Sequence, residues 1–186
     1  MGNGKSNGKQ KQHLKICMLG ESKVGKTALL HQLMHQQFLQ HYDRTFEDLF
    51  NLTMSYEGEV VNLHILDTPG GDDRVDIREM YLSNTRAFVI VYAIDDKNSF
   101  DSVAKILAEI KKARKEKDSA IILCANKKDL GKSKKLVTDK EEKDLEVSSG
   151  LPFFSTSAKD YASVVEAFEK LMELVLGQED GFNSEH

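Results

Sequence analysis

The stretch Gly20-Glu21-Ser22-Lys23-Val24-Gly25-Lys26-Thr27 decides the fold. It fits G-x-x-x-x-G-K-[ST], the pattern of a loop that binds phosphate. Such a loop bends tightly and directs several backbone N–H groups at one anion, which its glycines permit. The apolar run 14–19 before it predicts a buried strand, and the run 28–34 after it predicts a helix whose N-terminus faces the phosphate. Strand, loop and helix in this order argue against a chance match.

The composition indicates one domain with short tails. The chain has 186 residues, 40% of them hydrophobic, which is enough for a full core. A net charge of −4 argues against general nucleic-acid binding. A membrane-spanning helix is not expected, because no apolar run is long enough to cross a membrane. A secretory segment is not expected either, because no apolar run follows the N-terminus. Cys17 and Cys124 lie in apolar runs without metal-ligand spacing, so we expect two buried, reduced thiols in a cytosolic protein.

Residues 1–13 are polar and free of acidic groups, and we expect a disordered basic arm. The arm begins Met1-Gly2-Asn3-Gly4-Lys5-Ser6, which fits the N-myristoylation pattern M-G-x-x-x-[ST]. One myristoyl chain binds a membrane only marginally, so the arm's lysines and Lys15 would supply a second, electrostatic signal. The alternative is a plain solubilising tail.

The remaining pattern alternates strands and helices, which predicts an α/β fold. We expect a mostly parallel six-stranded sheet with one antiparallel edge strand and helices on both faces. The antiparallel strand belongs to a hairpin, with strands 49–56 and 60–66 joined by the turn Glu57-Gly58-Glu59. Further expected elements are a helix 74–82, a strand 87–92, a helix from Phe100, a strand 120–125, a helix 138–148, a strand 152–155 and a final helix from Tyr161.

Three further motifs each follow a predicted strand, at the edge where ligands bind in such sheets. Asp67-Thr68-Pro69-Gly70 offers a carboxylate that can hold Mg²⁺ and a Gly70 N–H that can approach a γ-phosphate. In Asn126-Lys127-Lys128-Asp129, the last carboxylate can accept the N1–H and 2-amino donors of guanine, a pair that adenine lacks. Ser157-Ala158-Lys159 adds a backbone N–H for the guanine O6. Each motif is weak alone, but their order is specific.

With these motifs in order, residues 14–176 resemble a small GTPase of the Ras superfamily, nearest the Ras family, with the G-domain fold of the P-loop NTPases. The run Tyr42-Asp43-Arg44-Thr45-Phe46-Glu47-Asp48 is similar to the Ras effector loop Tyr-Asp-Pro-Thr-Ile-Glu-Asp. The resemblance implies that Phe38 stacks against the guanine, that Tyr42 closes over the phosphates and that Thr45 senses the γ-phosphate. It also implies GTP or GDP as ligand, with Mg²⁺ held by Thr27, Thr45 and Asp67.

The resemblance further implies two sets of site residues. Those assigned to catalysis are Lys26, Thr45, Gly70 and Gly71. Those assigned to the nucleotide are Gly20, Ser22, Lys23, Val24, Gly25, Lys26, Thr27, Ala28, Phe38, Tyr42, Thr45, Gly70, Asn126, Lys127, Asp129, Leu130, Ser157, Ala158 and Lys159.

The departures from the family pattern matter most. The usual run is Asp-Thr-Ala-Gly-Gln, whose Gln orients the attacking water, and Gly71 stands in its place. We therefore expect intrinsic hydrolysis slower than the Ras rate of about 10⁻⁴ s⁻¹. Asp72 and Asp73 could substitute, although a γ-phosphate repels a carboxylate; a partner could also supply the missing group in trans. Ser22 and Lys23 replace two glycines of the Ras pattern. The charge of Lys23 is either solvated or touches a phosphate or one of the two nucleotide-sensing segments, which the resemblance places around Thr45 and after Asp67.

The sequence thus predicts a cytoplasmic guanine-nucleotide switch with effectors, an exchange factor and an activating protein as partners. Hydrolysis would be in-line attack of water, without a protein nucleophile. One alternative is a GTP-binding interaction module that is largely constitutively loaded; another is an ATP-using P-loop enzyme, against which Asn126–Asp129 argues. The acidic tail 177–186 has no Cys, so a C-terminal prenyl anchor is not expected and Gly2 acylation would be the route to the cytoplasmic face of a membrane. We expect a monomer that binds no nucleic acid.

Overall fold

A computed structural model describes residues 12–38, 48–70, 75–115 and 117–180 of the chain. The helix from Lys26 begins within the last two residues of the phosphate loop 20–27, and two 3₁₀ turns (Lys128–Leu130 and Lys132–Lys134) follow the fifth strand. The elements in chain order are β1 (Gln12–Leu19), α1 (Lys26–His35), β2 (Asp48–Tyr56), β3 (Glu59–Asp67), α2 (Val75–Asn84), β4 (Ala87–Ala93), α3 (Lys97–Arg114), β5 (Ala120–Asn126), α4 (Asp139–Ser149), β6 (Phe153–Ser155) and α5 (Tyr161–Asp180).

The described strands form one six-stranded sheet in the order β2-β3-β1-β4-β5-β6. β2 lies at one edge and pairs with β3 antiparallel, whereas the other neighbouring strands pair parallel. This arrangement confirms the predicted fold class. Because β1, β3, β4, β5 and β6 run in the same direction, their carboxyl ends meet at one edge of the sheet, where the sequence motifs begin.

Two apolar layers hold helices on the two faces of the sheet. On one face α1 and α5 pack through buried residues such as Leu30 and Phe168. On the other face α3 packs through Val103, Ile106 and Ile110, with support from α2 and α4. β4 is buried along its whole length because it lies between both layers. None of the helices in the described ranges has the length and apolar content needed to cross a membrane.

Several strand, helix and turn boundaries in the structure differ from the predicted ones. β1 begins at Gln12, inside the predicted arm, because its polar first residues pair with β3 from Val61 onward. α5 continues past Leu176 to Asp180, into the predicted tail, since Gly177 does not interrupt its helical backbone. The hairpin turn is tighter than predicted: Glu59 pairs with Tyr56, which leaves two turn residues.

The two turn residues explain this tight hairpin. Glu57 and Gly58 both have positive φ, at 49° and 79°, as a type I′ hairpin turn requires.

Cys17 and Cys124 are both buried thiols, which confirms the prediction of buried cysteines. Burial raises the pKa of Cys124 to about 12, so this thiol stays protonated at neutral pH.

Candidate nucleotide-binding site

The loop between β1 and α1 depends on two glycines. Gly20 has a φ of +141°, and a Cβ there would lie 2.0 Å from the Val91 carbonyl oxygen of β4. Gly25 has a φ of +99°, and a Cβ there would lie 2.4 Å from Nδ2 of Asn126. Any other residue at either position would therefore be strained and would also collide with a neighbouring strand end. Gly25 is the N-cap of α1, so the first N–H groups of this helix face the loop interior without a side-chain cap.

Lys26 is bound to the loop that carries it. Its ammonium donates hydrogen bonds to the carbonyl oxygens of Gly20, at 2.9 Å, and Glu21, at 3.0 Å. The residue is only 6% exposed. A cation buried to this degree is costly unless its donors are satisfied, and these two carbonyls fix its position within the loop. The ammonium is thereby held where a phosphate group in the loop would need a counter-charge.

Thr27 and Asp67 meet at the base of the loop. The Thr27 hydroxyl donates a hydrogen bond to Oδ2 of Asp67, which is fully buried at the end of β3. The neighbouring Thr68 hydroxyl donates to the Met18 carbonyl at 2.6 Å and so ties this segment to β1. A hydroxyl and a carboxylate are the hard oxygen ligands that Mg²⁺ prefers. The pair therefore fits a magnesium site.

The segment after β3 lies directly against the phosphate loop. A Cβ at Gly70 would lie 2.1 Å from the backbone nitrogen of Ser22 and 2.3 Å from its Cα. These are backbone atoms that cannot rotate away, so only glycine allows this contact. Gly70 is thus in contact with the loop, and the approach of its N–H to a phosphate stays a prediction.

A cavity of about 440 Å³ opens beside the loop. Its volume is within the range of small-molecule sites. Its walls come from the loop, from Phe38 after α1, and from the segments that follow β5 and β6. The lining residues are Lys23, Gly25, Ala28, Phe38, Asn126, Lys127, Asp129, Leu130, Ala158 and Lys159.

Asn126 joins the phosphate loop to the far side of this cavity. It is 1% exposed, and its Nδ2 donates a hydrogen bond to the Val24 carbonyl at 2.8 Å. Its Oδ1 accepts a longer hydrogen bond, 3.4 Å, from the Thr156 hydroxyl. One side chain at the end of β5 therefore holds together three chain segments that are distant in sequence.

Asp129 is held in its charged form at the cavity wall. The Ser157 hydroxyl donates to its Oδ1 at 2.6 Å, and the Lys159 ammonium donates to its Oδ2 at 2.8 Å. Burial alone would raise the pKa of Asp129, but the bonds from Lys159 and Ser157 outweigh burial and hold this pKa below its ordinary value. A fixed, ionised carboxylate at this wall can accept the two N–H donors of guanine.

Phe38 and two lysines complete the cavity. The Lys159 ammonium lies 5.1 Å from the centre of the Phe38 ring, in cation–π geometry. Lys127, which has a φ of +70°, forms an ion pair with Asp95 at 3.0 Å. Asp95 is a residue that the sequence analysis missed. The available signal was its place two residues after the buried strand β4, at the same sheet edge as the other motifs.

Most of the predicted site residues are therefore brought together around the loop and the cavity. This holds for the predicted residues of the segments 20–28, 67–70, 126–130 and 157–159, and for Phe38. Tyr42, Thr45 and Gly71 lie outside the described residues, as do residues 42–47 of the effector loop. Their predicted roles remain predictions.

Comparison with known proteins decides the family. The sequence model of the Ras family matches residues 15–177. The chain belongs to the Ras family. Three similar Ras-like proteins come from Dictyostelium discoideum. RasC is 36% identical over 159 residues, which are 86% of this chain and 84% of that protein. RasX is 32% identical over 172 residues (92% and 80%), and rasZ is 33% identical over 167 residues (90% and 78%).

Family membership confirms the predicted resemblance to a small GTPase of the Ras superfamily. Ras-family proteins bind GTP and GDP, hydrolyse GTP and act as switches. The loop, the Thr27–Asp67 pair and the cavity beside Asp129 lie together at one edge of the sheet.

Proposed function

We propose that this Ras-family protein is a molecular switch that binds GTP and GDP with Mg²⁺ and hydrolyses GTP slowly. The supporting observation is that one cavity joins a phosphate loop to a fixed, ionised carboxylate, Asp129. A guanine base offers this carboxylate two N–H donors, whereas adenine offers it no such pair.

A displacement assay tests the choice of base. Labelled GDP bound to the purified protein is challenged with unlabelled GTP, GDP or ATP. We expect GTP and GDP to displace the label and ATP to fail even in large excess. Displacement by ATP at concentrations similar to GTP would contradict the guanine assignment and would favour the ATP-using alternative.

Magnesium would be held by the Thr27 hydroxyl and Asp67, with Thr45 as a further ligand. When bound, Mg²⁺ would neutralise negative charge on the phosphate oxygens. The chain's own contribution is electrostatic: Lys26 and the N–H groups at the start of α1 stabilise the charge on the transferred phosphoryl group. Water attacks in line, and no side chain acts as nucleophile.

Slow hydrolysis follows from Gly71. Glycine has no side chain with which to orient the attacking water, and it adds backbone freedom at a position that has to be ordered. A partner protein that inserts a catalytic group in trans would restore the rate, since an arginine finger alone contributes about 10³–10⁵-fold. The alternative, a hydrolysis-deficient interaction module that remains loaded with GTP, is favoured by the same residue.

Single-turnover phosphate release from GTP-loaded protein distinguishes a slow GTPase switch from the hydrolysis-deficient module. We expect the wild type to be slower than about 10⁻⁴ s⁻¹ and Gly71→Gln to be faster. Gly177→Gln is the matched control, because this glycine lies far along α5 with nothing within 4 Å of an added Cβ. If Gly71→Gln and Gly177→Gln both turn over at the wild-type rate, Gly71 does not limit hydrolysis. If the bound GTP stays intact both in the purified protein and after addition of cell extract, the constitutively loaded module is the better description.

Signalling is proposed to run through residues Tyr42–Asp48, which effectors would recognise when GTP is bound. An exchange factor would replace GDP, and an activating protein would end the signal. Pull-downs with the protein loaded with a non-hydrolysable GTP analogue test this loop: Asp48→Ala should lose GTP-dependent partners, and retention of every such partner would refute the assignment.

Membrane attachment through Gly2 acylation is proposed for the cytoplasmic face of a membrane. In cells fed a labelled myristate analogue, the wild type should incorporate label and Gly2→Ala should not. Equal absence of label from both proteins would leave the basic arm as a plain tail and the protein in the cytoplasm.

A further inference from the structure

Lys23 occupies a backbone conformation that disfavours lysine. Three residues of the loop 20–27 have positive φ: Gly20, Gly25 and Lys23, whose φ is +63°. Two of these positions carry glycine, which adopts such a backbone without strain, but the third carries a residue with a Cβ. The left-handed conformation costs an L-residue energy that glycine would avoid, and strain of this kind is concentrated at functional sites.

Lys23 differs in its ion pairing from the two other lysines of the cavity wall. Lys127 is paired with Asp95 and Lys159 with Asp129, so the charges of both are already matched. Lys23 is exposed and lines the same cavity. Within the described ranges, no carboxylate lies within ion-pair distance of its ammonium. An anion that enters between the loop and the cavity is therefore the natural partner for this charge.

We infer that the Lys23 side chain is an additional cationic contact for the phosphate groups of the bound nucleotide and slows nucleotide release. This inference rests on the proposed nucleotide site and gives the charge of one of its residues, Lys23, a role in retaining the nucleotide. The phosphates are the charged part of a nucleotide, so the contact is electrostatic. Because Lys23 is exposed, its contribution should be modest and should weaken as salt rises.

Release of fluorescent GDP from the loaded, full-length protein tests this role with three substitutions. Lys23→Met keeps the length of the side chain and the backbone strain but removes the charge. Lys23→Arg keeps the charge, and Lys23→Gly removes both strain and charge. We expect Lys23→Met and Lys23→Gly to release GDP about three- to ten-fold faster than the wild type at low salt, and Lys23→Arg to remain close to it. The difference between Met and Lys should shrink in high salt.

Lys140→Met, which removes an exposed lysine from α4, controls for the change in net charge and should release GDP at the wild-type rate. If Lys23→Met matches the wild type at every salt concentration while Lys23→Gly differs, the residue acts through backbone strain and the inference is wrong. If Lys140→Met accelerates release as much as Lys23→Met, a general charge effect replaces the specific contact. A wild type that fails to retain GDP at all would instead refute the proposed function, so the two failures are distinguishable.

Discussion

Removal of the Asn126 amide should loosen the phosphate loop, although no residue of the loop itself is changed. In Asn126→Ala the Val24 carbonyl, which belongs to a fully buried residue, loses a hydrogen bond of 2.8 Å. A buried polar group that loses its partner costs about 1–3 kcal/mol. The second bond, from the Thr156 hydroxyl at 3.4 Å, is long and adds little.

Two measurements on GDP-loaded protein report this cost. If the whole loss falls on the bound state, release of labelled GDP should accelerate by roughly 5- to 150-fold. Urea unfolding should show a free energy of unfolding lower by about 1–3 kcal/mol. Asn126→Asp should be at least as damaging as the alanine variant, because it keeps the side-chain volume but turns an acceptor toward the Val24 carbonyl.

Asn62→Ala is the matched control. Asn62 also uses its side chain in a hydrogen bond, from the Thr53 hydroxyl at 3.1 Å, but this pair is exposed on the outer face of β2 and β3. Its removal should change the free energy of unfolding by no more than about 0.5 kcal/mol. If Asn126→Ala and Asn62→Ala give the same unfolding curves and the same GDP release rate, the Asn126 link does not hold the loop and the reasoning fails.

Two further substitutions have defined outcomes. Gly70→Ala places a Cβ 2.1 Å from the Ser22 nitrogen, so the segment after β3 has to move away from the loop. Single-turnover GTP hydrolysis should then fall well below the wild-type rate. An unchanged rate would show that this contact is dispensable. Glu141→Gln removes a carboxylate whose pKa is lowered from 4.5 to about 2 by Lys97 and then by Thr138 at the start of α4. Its stabilisation is therefore present above pH 4.5 and lost as pH falls toward 2. Urea midpoints of wild type and variant should differ at neutral pH and converge over that window; a constant gap would contradict the shift.

The sequence predicted the strand, loop and helix around Gly20–Thr27 because their signals are local. Glycines at the bends, an apolar run before them and helical spacing after them are all visible within about twenty residues. The order of the later motifs predicted the rest of the fold, because each motif follows a strand and parallel strands end at one edge.

Contacts between distant segments could not be predicted in the same way. Asn126 and Val24 are 102 positions apart, and neither residue type indicates that the two form a hydrogen bond. The positive φ of Lys23 was equally hidden, since lysine is a poor indicator of a left-handed backbone. The start of β1 was misjudged for a related reason: Gln12 and His13 look like parts of a polar arm, yet register with β3 extends the strand and brings His13 within 3.0 Å of His64.

Under the proposed function, nucleotide binding and GTP hydrolysis depend on different parts of this molecule. The loop is held from three strand ends: β4 packs against Gly20, β5 reaches it through Asn126, and the segment after β3 touches it at Gly70. These contacts hold the loop that is proposed to bind the phosphate groups, and none of them would orient the attacking water. A change at Asn126 should therefore alter nucleotide release far more than the rate of the chemical step, whereas Gly71→Gln should alter the chemical step alone. The two rates, measured side by side on both variants, should move independently; a parallel change in both would mean that loop rigidity limits hydrolysis here and that the missing glutamine does not.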